Sequence, residues 1–184
     1  MDPERLTQAA LQALQAAERI AATRGQQQVG ALHLAAALLA DDQAPPARIV
    51  ARAGGDPTQA YAALDAALGD LPRVSGDTAG TERTLDPTLG RALQAADRAA
   101  EARGDRYVAA DVLLVALRRE AGRALAMLPD ADALDAAAQE VRGDRTVDSR
   151  QAEATYEALE TYGIDLTERA RAGDLDPVIG RDDE

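Results

Sequence analysis

The chain has 184 residues, enough for one ordinary domain or two small ones, with a formal net charge of −12 and an apolar share of 46% that contains no Phe, Trp or Cys. All 20 basic residues are Arg, so a phosphate-loop, Schiff-base or general-base lysine is excluded, and the missing Cys excludes a thiol nucleophile, a disulfide and a zinc–thiolate site. Net negative charge disfavours nucleic acid and anionic membranes, and no segment has the length of a membrane span or the apolar run of a signal peptide, so a soluble, cytoplasmic protein is expected.

Ala and Leu dominate the apolar residues and are strong helix formers, which predicts an all-α fold with closely packed helices. Asp2-Pro3 opens the first predicted helix, 3–24, with Asp as N-cap and Pro at the first helical position. Leu6, Ala10, Ala13, Leu14, Ala17 and Ala21 recur at spacings of three and four and form one apolar face. Gly25 suits the left-handed residue after its end. Helices are then predicted over 31–40, 46–53 and 57–68, the last opened by Asp56-Pro57. Residues 71–84, with Pro72, Gly76 and Gly80, read as a flexible connection. Asp86-Pro87 starts a second set, 87–103, 110–120, 122–128 and 131–141. Arg142-Gly143-Asp144-Arg145-Thr146 breaks the pattern, so a loosely tethered tail is expected beyond Val141. A ninth helix is predicted over Gln151–Thr161, and Asp165–Glu168 fits a capping box for a short helix ending at Gly173.

The two sets are copies of one unit. Leu14-Gln15-Ala16-Ala17-Glu18-Arg19 matches Leu93-Gln94-Ala95-Ala96-Asp97-Arg98 at an offset of 79 residues. The same offset places Leu6 on Leu85, Arg24-Gly25 on Arg103-Gly104, Val29 on Val108 and Leu34 on Leu113. Two pseudo-repeats of about four helices each are therefore expected, over 3–70 and 85–141, within a domain of residues 1–142.

Few residues carry chemistry. A Ser–His–acid triad would have to use His33, the sole His, with Ser75 or Ser149, both in stretches that read as loops, so no catalytic residue and no metal site is expected. His33 reads as a helix-start ring bonded to nearby backbone, and Asp41-Asp42 and Asp182-Asp183 as solvated charge.

Val29-Gly30-Ala31-Leu32-His33-Leu34 and Tyr107-Val108-Ala109-Ala110-Asp111-Val112-Leu113 resemble the signature that opens the second helix in each half of a Clp N-terminal domain. Tyr162-Gly163-Ile164-Asp165-Leu166-Thr167-Glu168 and Gly173-Asp174-Leu175-Asp176-Pro177-Val178-Ile179-Gly180-Arg181 resemble the entry to the first AAA+ domain of Clp unfoldases. The opening Asp2–Thr7, the Leu71-Pro72-Arg73-Val74 join and the Gly104–Val108 turn are most similar to the ClpB disaggregases. This sequence departs from the family pattern at Leu32, where an acidic residue is usual, and at Val112, which replaces a His.

The resemblance implies a non-catalytic domain on a homohexameric AAA+ ring, with residues 143–184 forming a linker and the start of the first motor domain. It implies unfolded or aggregated polypeptides as partners, with adaptor docking or a purely structural, ring-gating role as the alternatives. It places Thr7, Asp105 and Asp111 by a substrate surface. Leu93, Tyr107, Val108 and Val112 would form one wall of a groove, and Thr7 and Leu11 the other. Against this stand plainer readings: a Thr7 hydroxyl bonded to a carbonyl, turn chemistry at Asp105, capping by Asp111, and a core role for the four wall residues. Val178 and Ile179 match residues that flank the nucleotide base in a longer chain; ATP and Mg belong to that parent, and no cofactor is expected here.

Overall fold

A computed structural model describes residues 2–73, 83–143 and 145–154. The predicted helices beyond residue 154, and Val178 and Ile179, lie outside the described residues.

The fold is all-α and built from two repeats. Repeat one contains α1 (Gln8–Thr23), α2 (Ala31–Leu38), α3 (Pro45–Arg52) and α4 (Pro57–Gly69). Repeat two contains α5 (Pro87–Ala102), α6 (Ala110–Ala121), a 3-10 turn (Gly122–Leu125) and α7 (Ala131–Arg142). Asp56, Asp86 and Asp130 cap α4, α5 and α7 by accepting bonds from first-turn N–H groups. The helix predicted over 122–128 is only this 3-10 turn.

One predicted boundary moves for a reason visible only in three dimensions. The Asp2-Pro3 signal caps a single 3-10 turn, Pro3–Arg5, and α1 starts afresh at an N-cap Thr7. Between them Leu6 is extended and forms a parallel bridge with Val108. Its repeat mate behaves likewise: Leu85 of β2 (Thr84–Leu85) pairs in parallel with Val29 of β1 (Gln28–Val29). Each repeat thus lends its entry segment to the other, which ties the two halves by main-chain bonds: Thr7 N–H donates to the Val108 carbonyl at 3.0 Å, and Asp86 N–H to that of Val29 at 2.9 Å.

α6 is the central helix. Every residue from Ala110 to Leu117 is buried, as expected of a helix packed on all sides. It touches α5, α7, α1, α2 and α3. The buried face of α1 is Ala10, Ala13, Ala17 and Ala21, so α1 contributes only small buried side chains, and α2 packs against it. Leu34, Leu64, Leu89, Leu114, Leu117 and Leu134 supply the volume that Phe and Trp would fill elsewhere.

His33 belongs to this scaffold. Gly30 N–H donates to its Nδ1 at 3.0 Å, which leaves the proton on Nε2 to donate to Gln26 Oε1 at 2.7 Å. Gln26 in turn donates to the Leu68 carbonyl at 2.7 Å, so the ring links α2 to the end of α4. Burial, and next the Arg24 charge, lower its pKa from the usual 6.5. A lowered folded pKa means that the unfolded chain takes up protons first, so this contribution is intact at neutral pH and lost as pH falls below about 6.5. His33→Ala is expected to cost about 1–3 kcal/mol at pH 7.5 by orphaning Gln26 and Gly30. Chemical denaturation from pH 7.5 to 5.5 checks it, since the variant should lose less stability over that range than the parent.

Candidate functional site

α5 ends at Gly104, whose φ of +76° turns the chain into Asp105. Asp105 is buried, with Oδ2 accepting from Arg142 Nη1 at 2.6 Å and Oδ1 from Val147 N–H at 2.8 Å. Asp111, in the first turn of α6, accepts from Val112 N–H at 2.8 Å and lies 3.2 Å from Arg142 Nε. Arg142, the last residue of α7, thus bridges two buried carboxylates from one guanidinium.

A third carboxyl joins them. α6 has Ala109 at its N-cap, with no side chain able to cap it. Glu153 supplies the missing acceptor from 43 residues away: Oε1 receives Ala110 N–H at 2.6 Å. Its Oε2 is buried without a hydrogen bond of good geometry, although the Thr7 hydroxyl stands close enough to favour the charged form. Burial pushes the Glu153 pKa up to about 7; Thr7 and Ala110 N–H pull it down, the Asp111 charge raises it, and Arg142 lowers it. Burial also raises the Asp111 pKa, against the pull of Arg142.

Glu153 arrives on a strap, residues 145–153, laid over this surface. The Val147 carbonyl accepts from the N–H groups of Arg106 and Tyr107 at 2.9 and 3.2 Å, and the Arg150 carbonyl accepts from Gln8 N–H at 2.7 Å. Val147 is fully buried. The compact unit therefore runs through Glu153, past the boundary expected at residue 142, and the loose tether expected directly after Val141 is instead docked.

Each residue singled out in the sequence has a definite place. Thr7 is fully buried and caps α1, accepting from Ala10 N–H at 3.2 Å rather than bonding back to a carbonyl. Thr7, Asp105, Tyr107, Val108 and Asp111 are gathered around the strap and the Leu6–Val108 bridge. Leu93, Val108 and Val112 are core residues, at 5%, 0% and 1% exposure, and do not face outward as groove-wall residues must. A chain without Phe or Trp needs its Leu and Val for the interior. Leu11 and Tyr107 are half-buried and reach the surface, and the Arg106 guanidinium lies 5.5 Å over the Tyr107 ring. Arg142, Val147 and Glu153 were not anticipated; the isolated apolar Val147 in a polar run is the one local hint. The equivalent place in repeat one, with Gln26, Leu32 and Asp86 at the positions of Asp105, Asp111 and Thr7, borders an open groove of about 310 Å³. Asp41 merely caps a turn, accepting from Gln43 N–H. No metal-ligating cluster occurs among the described residues.

Two interleaved helical repeats, exchanging entry segments around a central α6, define a double-repeat helical module. Residues 5–131 match the Clp repeat (R) N-terminal domain family, and the chain belongs to it. Its whole length aligns with the N-terminal region of ClpB chaperones: it is 44% identical to that of Meiothermus ruber over 184 residues and 41% identical to that of Rhodopseudomonas palustris over 191. It spans 21% of the length of each. The Hsp104 N-terminal domain of Candida albicans superimposes with a TM-score of 0.67 at 25% identity, covering 80% of this chain and 98% of that one. The Clp N-terminal domain is a non-catalytic domain type.

Proposed function

We propose that the chain serves as the substrate-capturing N-terminal domain of a ClpB-type disaggregase in the cytoplasm. It binds exposed apolar segments of unfolded or aggregated polypeptides and hands them to a homohexameric AAA+ ring. Residues 143–184 would serve as the linker and start of the first motor domain of a longer chain, in which Val178 and Ile179 would flank the nucleotide and ATP and Mg would act.

The supporting observation is that the Asp105–Tyr107 edge already holds a peptide segment, through paired N–H groups on one carbonyl and an aspartate on the adjacent N–H. Main-chain recognition of this kind tolerates many sequences, which suits a chaperone. Leu11 and Tyr107 offer apolar contact at the surface, whereas Leu93, Val108 and Val112 belong to the buried core. Buried acidic residues behind the edge favour segments with basic neighbours.

Reduced carboxymethylated α-lactalbumin, which stays unfolded, provides the test by fluorescence anisotropy. Leu11→Glu and Tyr107→Glu should each weaken its binding about tenfold with little change in melting, the size expected for losing one interface anchor. Binding that ignores both changes would move the site elsewhere, and no binding by the parent chain would favour adaptor docking or ring gating.

A further inference from the structure

We propose that residues 145–153 are a built-in competitor for the polypeptide-binding surface, and that protonation of the buried Glu153 carboxyl keeps this strap docked. The inference rests on the reading of that surface as the polypeptide site and names its regulation.

The competition follows from the groups the strap uses. It occupies the N–H groups of Gln8, Arg106, Tyr107 and Ala110 and the Asp105 carboxylate. An incoming extended segment pairing at this edge needs the same donors. Val147 buries its side chain where such a segment would place one. Along the strap Asp148, Ser149, Arg150 and Gln151 are exposed, while Val147, Ala152 and Glu153 are buried and the Arg150 carbonyl is bonded to Gln8. A segment with an exposed middle lies outside the helical core and opens locally without unfolding the repeats.

The gate follows from charge. Glu153 is faced by Asp111 from α6, by Arg142 from α7 and by the Thr7 hydroxyl from the start of α1. Asp105 joins through its ion pair with Arg142. Ionising all three carboxyls sets three buried negative charges around the guanidinium that bridges the two aspartates. Arg103, paired with Asp135, adds only a weaker positive contribution at Asp111. Retaining one proton relieves that excess, and the carboxyl on the movable strap is the one that solvent can recover.

Docked, Glu153 has a pKa of about 7; released into water it returns toward 4.5. The docked strap therefore binds the proton more tightly, and the sign is fixed. Docking is strongest below about 4.5, weakens as pH rises through the window between 4.5 and 7, and reaches its minimum above it. Across that window the docking equilibrium should fall on the order of a hundredfold. The surface then becomes progressively available to polypeptide as pH rises toward and past neutrality.

The experiment uses the full chain and two readouts. Amide hydrogen exchange at Gln8, Arg106, Tyr107 and Ala110, corrected for its intrinsic pH dependence, reports the strap; anisotropy with reduced carboxymethylated α-lactalbumin reports the site. Protection should fall at least tenfold from pH 5 to pH 8 while affinity for the unfolded protein rises. Glu153→Gln, neutral at every pH, should keep the amides protected at pH 8 and bind the unfolded protein more weakly than the parent there. Val147→Gly, which removes the strap's apolar anchor without adding a charge beside Asp105, should leave those amides open and the affinity high at both pH values. Protection and affinity that stay flat with pH, in a chain that does bind the unfolded protein, would overturn the gate and leave the binding site standing. Amides that open with pH while the unfolded protein fails to bind in any form would overturn the competition together with the binding-site reading.

Discussion

Replacing Arg142 by Met is expected to remove about 3–5 kcal/mol of stability, the cost of breaking a buried ion pair from one side. The Arg142 side chain is 7% exposed and that of its partner Asp105 is 1% exposed, so water cannot replace the lost guanidinium. Asp111 loses the same partner. Met retains the apolar stem, which separates the loss of charge from the loss of packing. For a domain of this size the melting temperature should fall by roughly 10 °C. The deficit should shrink in acid. Burial already raises the Asp111 pKa against the pull of Arg142, and removing Arg142 raises it further, so the variant's relative stability is recovered at low pH and lost as pH rises through that raised value. Urea denaturation at pH 5 and pH 8 measures both effects. A loss below about 1 kcal/mol at pH 8 would be typical of an exposed pair and would contradict the buried triad.

Val112→Asp distinguishes a core residue from a ligand-facing one. Val112 sits in the first turn of α6 at 1% exposure, within the same core as Leu89, Leu113 and Leu134. A carboxylate there is desolvated without a dedicated partner, at a cost of several kcal/mol. The helix N-terminus returns at most about 1 kcal/mol of that. The expected outcome is a melting transition lowered by roughly 10 °C or more, with loss of polypeptide binding only where the domain has unfolded. A variant that melts like the parent and yet loses affinity for unfolded protein would put Val112 on the binding surface.

Much of the architecture is legible in the residues because its determinants are local or repeated. The Asp-Pro pairs at 56–57 and 86–87 mark true helix starts, since both the cap and the missing N–H act within one turn. The 79-residue offset correctly pairs Leu6 with Leu85 and Val29 with Val108. What it does not reveal is that these residues bridge across the repeats rather than within them. That exchange is also why α1 starts at Gln8 and not at Pro3: periodicity continues through Leu6, but tertiary pairing pulls it out of the helix. The site was legible only as a neighbourhood. Thr7, Asp105 and Asp111 do gather, yet the residues that organise them lie far away in sequence. Arg142 is 37 residues from Asp105 and 31 from Asp111, and Glu153 is 43 from Ala110. No local pattern encodes such partners. The apolar wall residues were misplaced for a different reason: periodicity marks Leu93, Val108 and Val112 as apolar but cannot say whether another helix or a ligand covers them.

Unfolded polypeptide is proposed to bind at the surface around Leu11 and Tyr107, over the buried Thr7 and Asp105. The most direct measurement is a two-dimensional amide NMR titration of the full chain at pH 8 with reduced carboxymethylated α-lactalbumin. Saturable shifts are expected at Gln8, Leu11, Arg106, Tyr107 and Ala110, with the α3 and α4 amides unchanged. Shifts confined to α3 and α4, or none at saturating polypeptide, would contradict it.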